Sequence, residues 1–133
     1  SEDIPLGKGE TVLVVDDEAS IREITRSTLE TYGYKALTAS DGAEAVSIYS
    51  VNRDNVKVII MDMTMPIMDG QMSIRALRRI DPGVRVIFVS GFKEASRMAE
   101  SYAQGQDVFL SKPYTAETLL KTLRGIISGA KEG

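Results

Sequence analysis

Three short unbroken apolar runs stand out along the chain: Val12-Leu13-Val14-Val15, Val58-Ile59-Ile60-Met61 and Val86-Ile87-Phe88-Val89. None alternates with polar residues and all are rich in β-branched side chains, so each reads as a strand buried on both faces. Lys35–Ala39 is a weaker run and Val108-Phe109-Leu110 a short one, which suits the flanks of a sheet. Amphipathic stretches separate them. Residues 19–32 place Ile21, Ile24, Thr28 and Leu29 on one face and stop at Gly33, a natural residue just past a helix end. Asp41 with Glu44 three residues later makes a capping-box-like start for residues 43–50. Residues 71–80 carry Met72, Ile74, Leu77 and Ile80 at mostly helical spacing and end at Asp81-Pro82-Gly83. Residues 94–104 and 115–128 complete the set, the last with Leu119, Leu120, Leu123, Ile126 and Ile127 on its apolar side.

Five βα units in alternation predict an α/β fold: a parallel sheet with helices on both faces. Crossovers between parallel strands are right-handed, and the common order for five strands is 2-1-3-4-5. In that order the first strand neighbours the third, and ligands bind beyond the carboxyl ends where the order reverses. Residues 11–128 are the expected folded domain, residues 1–10 a flexible leader and residues 129–133 a flexible tail. The chain begins with Ser rather than Met, which points to a longer parent.

Composition narrows the chemistry. With no Cys and no His there is no thiolate nucleophile, no Ser-His pair and no Cys or His metal site. Sixteen Lys plus Arg against nineteen Asp plus Glu leave a net charge of −3 without a basic block, which argues against nucleic acid as a direct ligand. No apolar run approaches the roughly 18–20 residues of a membrane span, so no membrane contact is expected. Carboxylates, hydroxyls, Lys and Arg remain.

Those groups gather at one edge of the predicted sheet. Asp16-Asp17-Glu18 follows the first strand, Asp62 the third and Ser90 the fourth, and Lys112 comes just after the fifth, before Pro113. Singly each has an ordinary role: a solvated turn, a helix cap, a surface lysine. Met65-Pro66 and Asp69-Gly70 alone are turn punctuation. Together, four strands deliver acids, a hydroxyl and an ammonium to the same edge, while the second strand delivers only the cap Ser40-Asp41. Clustered carboxylates repel one another, and one lysine is too little to offset them. A hard divalent ion that prefers oxygen ligands and keeps several waters, Mg²⁺, would relieve the rest. A carboxylate beside Mg²⁺ and Lys is arranged to attack phosphorus, so the site fits aspartyl-phosphate formation.

The segments Val-Val-Asp-Asp-Glu, Met-Asp-Met-Thr-Met-Pro-Ile-Met-Asp-Gly, Val-Ser-Gly and Leu-Ser-Lys-Pro together resemble the receiver domain of bacterial response regulators, from about Thr11 to Ser128. The resemblance implies a flavodoxin-like fold with five helices. It implies that Asp62 is the phosphoacceptor, taking its phosphoryl group from the phosphohistidine of a sensor histidine kinase or a histidine phosphotransfer protein. Asp17 would be the direct Mg²⁺ ligand, with Asp62, the Thr64 carbonyl, and Asp16 acting largely through water. Ser90 and Lys112 would hold phosphoryl oxygens, Phe109 would be the switch aromatic, and the Lys112-Pro113 bond would be cis. Thr64 and Phe92 would tune phosphoryl lifetime. Phosphorylation would switch the face formed by residues 94–104, the fifth strand and residues 115–128. Phe109 has no hydroxyl to hold it outward, so an inward preference is expected even without phosphate. Such a domain is cytoplasmic and turns over no separate substrate.

Departures from the pattern are small. Ser stands at position 90 where Thr is commoner, and Gly105-Gln106-Asp107-Val108 replaces a more usual Gly-Ala approach to the fifth strand, which touches local packing. The leader Gly-Lys-Gly-Glu-Thr-Val-Leu resembles the approach to receivers at the C-terminus of hybrid sensor kinases, which would place a kinase domain in the same protein. Other phosphate and Mg²⁺ chemistries fit less well. A haloacid-dehalogenase-type phosphatase needs Asp-x-Asp after its first strand, where this chain has adjacent acids. A Toprim-type nuclease needs a later Asp-x-Asp, which Asp62-Met63-Thr64 does not supply. A flavin module needs a Ser, Thr and Gly-rich loop where acids stand here.

Overall fold

The computed structural model describes residues 4–65, 67–91 and 107–129, with residues 67–71 through their backbone alone. The elements in chain order are β1 (Thr11–Val15), α1 (Ala19–Thr31), β2 (Lys35–Ala39), α2 (Gly42–Asn52), β3 (Val56–Asp62), α3 (Ile67–Ile80), β4 (Val86–Ser90), β5 (Val108–Ser111) and α4 (Ala116–Gly129). The five strands are parallel in the order β2-β1-β3-β4-β5. Four helices lie among the described residues, and the helix expected over 94–104 falls outside them, as does Phe92.

The apolar runs are unbroken because each strand buries both faces. Leu13, Val15, Ile59, Met61, Val86 and Phe88 pack with Ala45, Tyr49, Ile74 and Leu77 of α2 and α3. Their neighbours Val12, Val14, Val58, Ile60, Ile87 and Val89 pack with Leu29 of α1 and with Leu119, Leu120, Leu123 and Ile126 of α4. Period-two alternation thus divides each run between two cores, one on either side of the sheet.

The helices differ from the sequence pattern in detail. In α1 the buried positions are Thr25 and Leu29, whereas Ile24 is 63% exposed. Thr25 tolerates burial because its hydroxyl donates to the Ile21 carbonyl at 2.9 Å. Met72 of α3 is likewise turned outward, and Ile74 and Leu77 carry the packing. α3 begins at Ile67, so Asp69 and Gly70 are helical rather than a turn. A glycine there costs about 1 kcal/mol against alanine, which the apolar face of Ile74 and Leu77 outweighs. α2 is capped as expected by Asp41, whose Oδ1 accepts from Glu44 N at 2.8 Å, but Glu44 returns its bond to Ser40 N at 2.6 Å, one residue earlier than a capping box. α1 ends in a Schellman motif: Tyr34 N donates to Leu29 O, and Gly33 supplies the required positive φ of 96°.

Residues 4–10, expected as a flexible leader, lie against the α1–β2 turn. Gly7 N and Gly9 N donate to the carbonyls of Tyr32 and Gly33 at 2.7 and 2.8 Å. Gly7 sits on the Tyr34 ring, where a Cβ would come within 2.8 Å of ring carbons. Glu10 then pairs with Arg124 of α4 at 2.7 Å, both side chains largely buried. Burial alone would raise the Glu10 pKa, but the bonds from Arg124 and from the Lys8 and Glu10 main chain outweigh it and lower it to about 2. A carboxylate with a depressed folded pKa stabilises the fold above its unfolded value and loses that contribution as the pH falls through the folded one. Glu10→Gln should therefore cost about 1–2 kcal/mol near pH 7, and less than half of that at pH 3. Urea unfolding at the two pH values checks this; an equal loss at both would show that the charge of Glu10 is irrelevant.

Asp107, part of the unusual approach to the last strand, has a buried side chain that pairs with Arg78 of α3, while its other oxygen accepts from Val86 N at 3.1 Å. The acid thus joins α3, β4 and β5 at the end of the sheet away from the carboxyl edge.

Candidate functional site

At the carboxyl edge, β3 ends on Asp62 and β4 on Ser90, Asp16 follows β1 directly and Lys112 follows β5 directly. Parallel register sets Val15 beside Met61 and Asp62 beside Val89, so the strand ends lie level. Carboxylate oxygens of Asp16, Asp17 and Asp62 all lie within 4.8 Å of one another. The Lys112 ammonium stands 3.6 Å from Asp62 Oδ1 and 3.9 Å from Asp16 Oδ2. Asp62 is 1% and Asp16 5% exposed, whereas Asp17 faces solvent. Ser90 is buried beside them, and its carbonyl accepts from Lys112 N at 2.9 Å, tying β4 to the lysine loop.

Local bonds hold Asp16 and Asp62 in place. Asp16 N donates to Ala39 O at 3.1 Å, and Asp16 Oδ1 accepts from Glu18 N at 2.9 Å at the start of α1. The Asp16 carbonyl accepts from Arg22 Nη1 at 2.7 Å. Both oxygens of Asp62 accept from the Thr64 hydroxyl, at 2.7 and 2.9 Å, and Oδ1 also accepts from Thr64 N at 3.0 Å. Burial raises the Asp16 pKa above the ordinary carboxylate value and the Asp62 charge adds to the rise, while the Glu18 N–H and Lys112 pull it down. Three clustered carboxylates with one ammonium suit a hard, oxygen-preferring dication, so the donor set fits Mg²⁺.

Beside Lys112 a groove of about 360 Å³ opens between α1 and α4, lined by Ile21, Ile24, Thr25, Pro113, Tyr114 and Leu119. Burial raises the Tyr114 pKa. The Lys112–Pro113 peptide bond is cis. Phe109 does not take the inward position expected for a ring without a hydroxyl: it is 37% exposed on β5 and is held there by stacking on buried Phe88, with ring centroids 5.4 Å apart.

The family of response regulator receiver domains matches residues 12–124, nearly the whole sheet and its helices. The chain belongs to that family. This receiver domain is 34% identical over 125 residues to the probable transcriptional regulator ycf27 of Guillardia theta, covering 94% of this chain and 48% of that protein. It is 33% identical over 117 residues to the sensor kinase CckA of Brucella abortus (strain 2308), covering 88% of this chain and 12% of that one. The chain thus spans about half the length, or less, of these relatives. The crystal structure of a receiver domain protein from Clostridium thermocellum superimposes with a TM-score of 0.83 at 31% identity, over 92% of this chain and 98% of that one. Receiver domains share this flavodoxin-like sheet, bind Mg²⁺ at the acidic pocket and interact with sensor histidine kinases. No helix among the described residues of this receiver is long and apolar enough to cross a membrane.

The structure brings together Asp16, Asp17, Asp62, Thr64, Ser90 and Lys112, drawn from four strand ends. Sequence reading missed two contacts, the Thr64 hydroxyl on the Asp62 carboxylate and Arg22 on the Asp16 carbonyl. A signal existed for Arg22: a cation in the first turns of a helix opposes the dipole and calls for a partner. The hydroxyl at Thr64 carried no comparable signal, because its partner depends on how the chain leaves β3.

Proposed function

We propose that this receiver accepts a phosphoryl group on Asp62 from the phosphohistidine of a sensor histidine kinase or a histidine phosphotransfer protein in the cytoplasm. One observation carries the reading: Asp62 alone among the clustered acids ends a central strand with both an ammonium and a hydroxyl against its carboxylate. In the transfer, an Asp62 oxygen bonds to phosphorus while the bond from phosphorus to the imidazole nitrogen breaks, its electron pair returning to the ring. Asp17, Asp62 and the Thr64 carbonyl would hold Mg²⁺, with Asp16 acting through water. The ion supplies positive charge to the transferring oxygens when bound. Lys112 and the Ser90 hydroxyl hold the remaining phosphoryl oxygens. The domain, residues 11–128, turns over no separate substrate, and its resemblance to part of a sensor kinase supports a kinase domain in the same protein as one source of phosphate. Incubation with acetyl phosphate and Mg²⁺ should add one acid-labile phosphoryl group by intact mass; a chain that stays unmodified would sink the reading.

The phosphorylated site also drives a switch. The Ser90 hydroxyl moves toward the phosphoryl oxygens, and the ring of Phe109 changes rotamer into the space vacated behind β4. Support comes from its half-exposed position stacked on Phe88, one strand from Ser90. A ring flip shifts the population only if the phosphorylated state gains contacts the other lacks. The surface affected comprises residues 94–104, β5 and α4. A phosphate mimic such as beryllofluoride should perturb amide signals of residues 94–104 and 108–114 far more than those of 43–50. A response confined to the loops around Asp62 would mean the domain relays phosphate without changing shape.

A further inference from the structure

Arg22 is the fourth residue of α1, near the end where the helix dipole is positive and a cation is disfavoured. Its half-buried guanidinium turns back across the helix start and donates to the Asp16 carbonyl at 2.7 Å, six residues earlier. Its own N–H donates to the Glu18 carbonyl at 2.9 Å. Side chain and main chain of this one residue therefore grip both ends of the loop Asp16-Asp17-Glu18. The carbonyl of Asp16 belongs to the planar peptide that joins Asp16 to Asp17. Holding that oxygen sets the plane of the peptide, and the plane restricts the directions in which the Asp17 side chain can leave the chain. The N–H and side chain of Asp16 are held separately, by Ala39 O and Glu18 N, so only the orientation of the Asp16–Asp17 peptide is left to Arg22.

We infer that Arg22 is a positioning residue for the metal: by hydrogen-bonding the Asp16 carbonyl it aims Asp17 into the acidic cluster. This rests on the reading of Asp16, Asp17 and Asp62 as a Mg²⁺ site. Two effects of Arg22 on that site have opposite signs, and the sign decides between them. As a bare positive charge it repels a dication, so its removal would tighten Mg²⁺ binding. As the group that orients a ligand it favours the ion, and losing such outer contacts typically weakens metal affinity about 10–100-fold. One peptide away from the ligand, the smaller end of that range is expected.

Mg²⁺ titration followed by amide NMR shifts of wild type, Arg22→Met, Arg22→Lys and Asp17→Asn tests it, with thermal unfolding in metal-free buffer alongside. Arg22→Met, which keeps the stem and removes the donors, should raise the Mg²⁺ Kd about tenfold, while phosphorylation by acetyl phosphate at saturating Mg²⁺ stays within about twofold of wild type. Arg22→Lys, with the charge and one donor, should fall between. A Kd for Arg22→Met equal to or below that of wild type overturns the inference, as does a lowered melting temperature without a change in Kd. Wild type that binds no Mg²⁺, or Asp17→Asn that binds it as wild type does, would instead overturn the metal reading itself and the inference with it.

Discussion

Asp62→Asn should abolish labelling by acetyl phosphate while making the metal-free protein more stable. The first effect follows from the loss of the nucleophile: the amide that replaces the carboxylate is no substitute, and the neighbouring acids lack its surroundings. Asp16 spends its oxygens on the start of α1 and on Lys112, and Asp17 faces solvent. The second effect follows from charge. Asp62 is all but fully buried with Asp16 and Asp17 oxygens within 4.8 Å, and among the described residues Lys112 is the cation paired with both Asp16 and Asp62. Like charges so placed oppose folding, and removing one should stabilise by on the order of 1 kcal/mol. Thr64 N keeps its bond, because an asparagine oxygen still accepts it. Intact-mass spectrometry after phosphodonor treatment and urea unfolding without Mg²⁺ measure the two effects. Labelling at the normal rate on the same face would remove Asp62 from the acceptor role, and a less stable variant would mean that the hydrogen bonds of Asp62, not its charge, dominate the site.

Lys112→Met should slow phosphoryl transfer by about 10²-fold or more, the usual loss when one preorganised donor to developing charge is removed. The ammonium sits within 4 Å of two carboxylates, so it is aimed at the place where phosphoryl oxygens would add further negative charge. The same substitution should tighten Mg²⁺ binding, because a positive charge leaves the neighbourhood of a dication while no carboxylate is lost. Lys112→Arg keeps the charge but spreads it over a planar fork, and should recover only part of the rate. Rates at saturating Mg²⁺, together with metal titration, check both halves. Transfer at the wild-type rate in Lys112→Met would place the phosphoryl-binding cation elsewhere, and weaker Mg²⁺ binding would show that the lysine orders the acids more than it competes with the ion.

The sheet was legible because its central strands are buried on both faces, which leaves runs such as Val58-Ile59-Ile60-Met61 with no polar alternation to misread. Helix faces were less legible. Ile24 and Met72 have the right spacing for burial and yet face outward, while Thr25 is buried. A helix in the middle of a βα unit covers a limited width of sheet, so an apolar residue at the margin of its stripe can fall outside the contact. Residues 4–10 read as a leader from composition, since nothing local shows that Gly7 can lie on Tyr34 or that Glu10 reaches Arg124, a residue 114 positions away.

The sequence by itself determined the parallel βα alternation and the edge at which chemistry collects, and it narrowed the strand order to a few arrangements. Parallel strands with right-handed crossovers admit few arrangements, and residues directly after a strand fall at its carboxyl end whatever the helices do. It also determined the types of group available, because a chain without His or Cys leaves acids, hydroxyls and cations. Only the tertiary structure decided how those groups meet. That the Thr64 hydroxyl lies on both oxygens of Asp62, that Lys112 bridges Asp62 and Asp16, and that Arg22 holds the peptide before Asp17 are matters of a few ångströms between separate loops. Strand ends place a backbone to within a residue, but a hydrogen bond requires an atom within about 3 Å in the right direction, and that precision comes from the packing of both cores against the sheet.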